Sequence, residues 1–424
     1  MTLRMYRMPK CHTSANCHRV SHWHLTKQLL TMLLALFVCF FGVFSSDASE
    51  EASVSAVLLS LETDGEAVTL NFNRPVDLKI IHLAGPPRII IDLPETNFTA
   101  LDNGARLPEL IGAIRFGLMS QGQSRIVLTL SMPAIATGDH PESANETHQI
   151  RFATVEDAAF LVRVDADSAA QTPIIAAKSD RLAEGAVAQE QVPFTVVIDP
   201  GHGGIDGGAE GKLGTREKDI TLAFGQAIRD ALKNSPDVRV IMTRDSDVFV
   251  GLHERVKIAR QNQAELFLSV HGDSIKLPEV RGATLYTLSD SASDAISNAL
   301  ANQENLSDSI AGLPPMQPDP EMNSILIDLL KQETATFSRE LATEIIVHLK
   351  ENAVELINNP IRSAGFSVLT APDVPSLLLE MGYLSNHDDE LLLRDPEWRA
   401  RTAGVIAKAI ATYAKGHRTR SAQP

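Results

Sequence analysis

Three short apolar runs in the second half of the chain each end in a polar, glycine-bearing turn. Val196-Val197-Ile198 runs into Asp199-Pro200-Gly201-His202-Gly203-Gly204, Leu266-Phe267-Leu268-Ser269-Val270 into His271-Gly272-Asp273, and Leu377-Leu378-Leu379 into Glu380-Met381-Gly382. Such runs, bounded by turn signals, read as buried strands. Each delivers one ionisable side chain to a loop at its carboxyl end, the edge where open α/β sheets bind ligands. Between them the apolar spacing becomes helical. A helix opening at Thr215-Arg216-Glu217-Lys218-Asp219 runs to about 233 with Leu222, Ala223, Ile228 and Leu232 on its buried side; strands follow at 238–242 and 282–288, with a helix over 252–263. This alternation from Phe194 onward predicts an α/β domain with a twisted, mostly parallel sheet flanked by helices. The regularity breaks after 288. Residues 291–310 read as one amphipathic helix with Ile296, Ala299, Leu300, Leu306 and Ile310 on one face, followed by a loop carrying Pro314, Pro315, Pro318 and Pro320 and a long helix over 322–356. Roughly 25 residues (289–313) thus separate elements that could have joined directly, and insertions of that size are often functional. A strand at 365–369, the Glu380 strand and a last helix around 400–413 complete the domain.

In the first half the period is two. Val68, Leu70 and Phe72 alternate with Thr69 and Asn71, and Ile126, Leu128 and Leu130 with Val127 and Thr129. Further short runs at 78–83, 88–93, 111–118 and 160–164 are separated by Asn73-Arg74-Pro75, Gly85-Pro86-Pro87 and Gln121-Gly122-Gln123. Many short strands with turns between them predict a β-sandwich over 54–164. No ionisable cluster stands out there, which favours binding or targeting over chemistry. Residues 165–191, without an aromatic and rich in Ala, Asp, Gln and Ser, read as a flexible linker with at most a weak helical stretch.

The amino terminus changes the compartment. Residues 1–27 carry Arg4, Arg7, Lys10, Arg19 and Lys27 and no acid, residues 29–44 are apolar apart from Thr31, and Ser46-Asp47-Ala48 offers a cleavage pattern. Residues 1–48 therefore read as a secretory signal peptide, since a membrane span needs about 20 apolar residues; an uncleaved signal anchor is the alternative. Cys11, Cys17 and Cys39 all fall inside this segment, so the exported chain would have no disulfide and no stable membrane span. Its removal takes five basic residues and one acid, leaving 33 basic against 52 acidic and a net charge of −19. With 5% aromatic residues besides, nucleic acid is excluded as a partner.

His202, Glu217 and His271 form a plausible metal set. Two neutral imidazoles and a carboxylate suit Zn²⁺, and three protein ligands leave a fourth position open. Without thiolate the ion stays a strong Lewis acid. Their separations of 15 and 54 residues match no short zinc motif. The same residues also read as a polar loop histidine and an acid stabilising a helix N-terminus. Glu380, ending a run of leucines, is a candidate desolvated general acid or base, or alternatively half of a buried ion pair. His253 and His348 in helical patterns and His387 in a charged turn read as structural.

Together, Val197-Ile198-Asp199-Pro200-Gly201-His202-Gly203-Gly204, Gly214-Thr215-Arg216-Glu217-Lys218-Asp219, Thr243-Arg244-Asp245, Ser269-Val270-His271-Gly272-Asp273 and the stretches Ala364-Gly365-Phe366 and Glu380-Met381-Gly382-Tyr383-Leu384-Ser385-Asn386 resemble the zinc-dependent N-acetylmuramoyl-L-alanine amidases of bacterial cell division. The likeness covers essentially all of 194–415, in order, within a catalytic domain expected over 192–415. Residues 54–164, through 78–83 and 88–94, resemble the AMIN domain that directs such enzymes to septal peptidoglycan. Gly272 stands where the family usually has alanine, a change expected to add only loop flexibility. The resemblance implies that His202, Glu217 and His271 bind Zn²⁺ and that Glu380 activates water and protonates the leaving amine. The bond cut would join the lactyl group of N-acetylmuramic acid to L-alanine of the stem peptide. In partner-activated members an inserted helix covers the site and a glutamate from it contacts the metal. The region 290–320 corresponds, with Glu304 of Leu300-Ala301-Asn302-Gln303-Glu304-Asn305 in that role, released by a LytM-domain activator. A monomer in the periplasm of a Gram-negative envelope is the expected setting. A zinc peptidase cutting within the stem and a catalytically silent peptidoglycan-binding or activator protein are the competing readings; the presence of all four site residues weighs against the last.

Overall fold

The computed structural model describes residues 56–64, 67–98, 109–137, 145–170, 193–313 and 325–421. The expected signal peptide, most of the 165–191 linker and the proline-rich end of the 290–320 insertion lie outside the described residues.

Among the described residues, nine strands build the amino-terminal domain: β1 (Ala56–Asp64), β2 (Ala67–Val76), β3 (Lys79–Leu83), β4 (Arg88–Pro94), β5 (Thr96–Asn97), β6 (Ile111–Ser120), β7 (Gln123–Leu130), β8 (Ala134–Thr137) and β9 (Asn145–Thr154). They form two sheets, ordered β5-β1-β2-β9-β8 and β3-β4-β7-β6. The period-two residues Val68, Leu70, Phe72, Ile89, Ile91, Ile126 and Leu128 meet in the core between them. Ile90 and Val127 point the other way and are buried too, packed with Ile81 against Ile205, Phe249 and Ala311 of the second domain. A strand covered on both faces loses its alternation, which is why Ile89-Ile90-Ile91 is continuous. Arg125 ties the same face down: it pairs with both Asp92 oxygens (2.6 and 3.0 Å) and donates to Ala311 O (2.9 Å). Arg88 donates to the carbonyl of Ser309 and, at 3.2 Å, to its Oγ. Gly312 sits at φ 71°, and a Cβ there would collide with Ile90 Cδ1, so only glycine fits.

The run 160–164, read as a strand, is instead part of helix α1 (Asp157–Ala170), which continues into the first residues of the expected linker. Short apolar runs do not separate strand from helix. Here Phe160 is buried while Leu161 and Val162 are exposed, as a helix turning away from a sheet requires.

The second domain contains β10 (Phe194–Pro200), α2 (Glu217–Leu232), β11 (Val238–Met242), α3 (Leu252–Gln261), β12 (Leu266–His271), β13 (Ala283–Leu288), α4 (Ala295–Glu304), α5 (Ser307–Ile310), α6 (Ile325–Glu351), β14 (Leu356–Ala364), β15 (Ser376–Glu380), α7 (His387–Arg394) and α8 (Pro396–Ser421). The sheet order is β11-β10-β12-β15-β13-β14. All pairs are parallel except β13 with β15. The three apolar runs are thus neighbouring central strands, with His271 in register with Glu380. One face is covered by α2, α6 and α8, the other by α3, α4 and the turn Ser367–Leu369.

Three sequence-derived elements differ. The 291–310 helix is two, broken at Asn305, whose side chain donates to Gly365 O (2.9 Å) and accepts from Ser367 N (2.8 Å). Its buried face is Ser297, Leu300, Ala301 and Glu304, whereas Leu306 is 55% exposed. The long helix ends at Glu351, and Leu356 opens a strand; the strand expected at 365–369 is a 3-10 turn.

Candidate active site

The carboxyl ends of β10, β12 and β15 bring the ionisable residues together. Asp199, fully buried at the end of β10, accepts from Thr243 Oγ1 (2.6 Å), Ser269 Oγ (2.7 Å) and Arg255 Nη1 (2.7 Å). Arg255 also donates to the carbonyls of Pro200 (2.7 Å) and His202 (2.8 Å), and Arg244 to those of Pro200 (3.0 Å), Gly201 (2.8 Å) and Lys218 (2.9 Å). Two buried guanidinium groups therefore fix the loop carbonyls that follow β10. His202 is held at φ 58°, a left-handed conformation that such bracing sustains.

His202 Nε2 lies 3.1 Å from Glu217 Oε2 and 3.4 Å from Glu304 Oε2; His271 Nδ1 lies 3.2 Å from Glu217 Oε1 and 3.0 Å from Glu304 Oε2. The other nitrogen of His202, Nδ1, bonds Asp206 Oδ2 at 2.9 Å, which fixes the ring. Glu217, at the start of α2, accepts from Ala209 N (2.8 Å) and Gly272 N (3.0 Å). A Cβ on Gly208 would stand 2.6 Å from Glu217 Oε2, so a glycine admits the carboxylate. Gly272 itself has room for alanine: a Cβ there meets only Leu393 Cδ1 at 3.5 Å and Gly382 O at 4.0 Å. Glu380 is fully buried; its Oε2 accepts from Asp273 N (3.1 Å) and its Oε1 has no hydrogen-bond partner.

The electrostatics are those of an anionic pocket. Burial opposes charge on His202 and His271, but Glu217, Asp206 and Glu304 around the first, and Glu304 and Glu217 around the second, raise both well above the ordinary imidazole value. Burial raises Glu217, and the two histidines more than reverse it, holding it well below the usual carboxylate range. Burial, reinforced by Glu217 and Glu304 and opposed by His271, pushes Glu380 up to about 8. A cation beside these groups would oppose that rise.

His202, His271 and Glu304 offer ligand atoms all within 4.8 Å of one another. A tetrahedral metal with bonds of about 2.0–2.1 Å has ligand-to-ligand edges of about 3.3–3.4 Å. Glu304 Oε2, 3.4 Å from His202 Nε2 and 3.0 Å from His271 Nδ1, approaches that edge length to both histidines, while Glu217 faces His202 with Oε2 and His271 with Oε1, at 3.1 and 3.2 Å. His202 Nε2, buried and without a hydrogen-bond partner, is the orphaned atom a metal would satisfy. The cavity bounded by Gly201, His202, Arg255, His271, Glu304 and Ser307 is ≈ 10 Å³, room for about one water.

All five residues singled out in the sequence, His202, Glu217, His271, Glu304 and Glu380, therefore lie in one neighbourhood. His253 and His387 are exposed, and His348 Nδ1 bonds Glu344 O within its helix. Sequence reasoning missed Asp206, Arg255, Asp273 and Gln303. Asp206, a carboxylate four residues after a candidate ligand, was the one with a readable signal.

Residues 196–412 match the N-acetylmuramoyl-L-alanine amidase family model and residues 58–159 the AMIN domain model. N-acetylmuramoyl-L-alanine amidase AmiA of Escherichia coli K12 is 36% identical over 219 residues, 51% of this chain and 75% of that protein. AmiC of Escherichia coli O6:H1 is 27% identical over 361 residues, 82% of this chain and 86% of that protein. Among solved structures, the AmiC2 amidase of Nostoc punctiforme is 28% identical, covering 52% of this chain and 97% of its own, with a TM-score of 0.39.

Proposed function

Because the chain belongs to the N-acetylmuramoyl-L-alanine amidase family and is an amidase, we propose that it uses zinc to cut the bond between the lactyl group of N-acetylmuramic acid and L-alanine of peptidoglycan stem peptides. His202, Glu217 and His271 would hold the zinc. The observation that carries this is the buried, unpartnered His202 Nε2, with Glu217 Oε2 at 3.1 Å and Glu304 Oε2 at 3.4 Å. Zinc bound there supplies a Lewis acid for the scissile carbonyl and lowers the pKa of water. Glu380 is the general base: with Oε2 tied to Asp273 N, its free Oε1 takes a proton from water and passes it to the departing amine. Asp206 keeps His202 in the tautomer that leaves Nε2 free.

The same reading makes α4 and α5 an autoinhibitory lid. Glu304 Oε2, beside both histidines, would be a further ligand to the metal they hold, and a cavity of ≈ 10 Å³ leaves no room for a sugar or peptide. The lid is fastened beyond Glu304 by Ser307 Oγ on Asp206 Oδ2 (2.5 Å), by Asp308 Oδ1 accepting from Leu252 N (2.8 Å) and by Arg88 and Arg125 of the sandwich. A LytM-domain activator displaces it. The AMIN domain targets the enzyme to septal peptidoglycan in a Gram-negative periplasm, where it splits the wall between daughter cells. Among the described residues no helix is long and apolar enough to cross a membrane.

The test is mass spectrometry of soluble products from purified sacculi treated with the zinc-loaded protein carrying Glu304→Ala, with Glu380→Gln added as control. Intact stem peptides beginning at L-alanine, lost in the control and on chelation, are expected. Fragments cut inside the stem would identify a peptidase, and no release by the folded protein would favour a binding or activator role.

A further inference from the structure

Asp273 is the ionisable residue of the site that no step above uses. It lies two residues beyond His271, is fully buried, and pairs with no Lys or Arg among the described residues. Its Oδ1 accepts from Ser274 N (2.5 Å) and from Nε2 of the lid residue Gln303 (2.6 Å), while Oδ2 is buried and has no partner. Its backbone N–H donates to Glu380 Oε2 at 3.1 Å. Glu217, Asp273 and Glu304 each offer an oxygen within 4.8 Å of the others.

The closed lid thus presents two adjacent side chains to the site: a carboxylate oxygen of Glu304 at the two histidines and a carboxamide N–H of Gln303 at Asp273. A substrate amide carries the same pair of groups. In a trans amide the carbonyl oxygen and the N–H point to opposite sides, so one amide can reach two neighbouring sites at once, as the adjacent Glu304 and Gln303 side chains do here.

We propose that Asp273 is a substrate-positioning residue that accepts the N–H of the scissile amide, and that the lid closes by imitating that amide with Gln303 and Glu304. This rests on the hydrolase reading above. Either protonation state of Asp273 keeps an acceptor oxygen, so the role does not depend on its charge. In the reaction, water adds to the carbonyl carbon, the C–N bond breaks and the proton from water reaches nitrogen through Glu380. Asp273 retains the nitrogen's own hydrogen throughout, holding the leaving group beside Glu380. A buried acceptor left unpaired also disfavours substrates that lack this N–H.

The test compares two substrates on the full-length, zinc-loaded protein carrying Glu304→Ala: an N-acetylmuramoyl stem peptide and its ester analogue, in which oxygen replaces the scissile N–H. Adding Asp273→Ala should lower kcat/KM on the amide by about 10–100-fold while changing the ester rate far less, and Asp273→Asn, whose Oδ1 still accepts, should restore most of the amide rate. Equal losses on both substrates, or an undiminished amide rate in Asp273→Ala, would overturn the proposal. Failure of the Glu304→Ala parent to cut the amide substrate would instead overturn the hydrolase reading, and this inference with it.

Discussion

Glu304→Ala tests whether the lid inhibits by occupying the metal position. The substitution removes a carboxylate whose Oε2 lies 3.0 Å from His271 Nδ1 and 3.4 Å from His202 Nε2. It leaves the lid's other anchors: buried Leu300 and Ala301, Gln303 on Asp273, Ser307 on Asp206, and Asp308 on Leu252 N. A hydrogen bond to a charged group contributes about 1.5–3 kcal/mol. The lid's opening constant should therefore rise about 10- to 150-fold, and basal turnover by the same factor until opening no longer limits the rate. The assay is dye release from labelled sacculi without activator, at matched zinc content. Stimulation by activator should shrink by the same factor, since both act on one equilibrium. An unchanged basal rate in a folded, zinc-loaded variant would show that Glu304 does not hold the lid closed.

Glu380→Gln should lower kcat by about 10²–10⁴-fold with zinc content and sacculus binding retained; a loss of zinc instead would make the residue structural. Arg125→Ala strands Asp92 in a mostly buried position and frees Ala311 O, so the sandwich should lose about 3 kcal/mol in urea unfolding and basal activity should rise as the lid's far end loosens. Stability and activity both unchanged would remove the sandwich from lid control. His82 accepts from Ala136 N through Nε2 (2.9 Å) and faces Asp167 of α1 through Nδ1 (2.7 Å), and burial lowers its pKa from 6.5 despite Asp167. The unfolded chain then binds the proton more readily, so stability should fall as pH drops below about 6.5. The fall in Tm between pH 7.5 and 5.5 should be smaller in His82→Gln, and equal falls would contradict the assignment.

The strands that carry the candidate site were legible because β10, β12 and β15 are central and covered on both faces, so each is a mostly apolar run with a candidate site residue at or just beyond its carboxyl end. Elements shaped by their neighbours were not. In β14, Asn358-Asn359-Pro360 interrupts the pattern where the strand slips register against β13, with Asn359 at φ 54°. The buried face of α4 includes Ser297 and Glu304, polar residues that a hydrophobic period does not mark; Glu304 is buried against His202 and His271. Hydrophobic spacing likewise says nothing of Arg244 and Arg255, whose task is to satisfy loop carbonyls. The docking face of the sandwich left a trace in Ile89-Ile90-Ile91, but its partners, Ile205, Phe249 and Ala311, lie more than a hundred residues away in the chain.

In the proposed enzyme one metal position is shared by His202, Glu217, His271 and Glu304. A crystal structure of the full-length, zinc-loaded protein, with anomalous data at the zinc edge, tests it most directly. The expected result is a single anomalous peak about 2.0–2.2 Å from His202 Nε2, His271 Nδ1 and an oxygen of each glutamate. A peak elsewhere, or a zinc site with Glu304 turned away in a protein that remains inactive without its activator, would contradict the account.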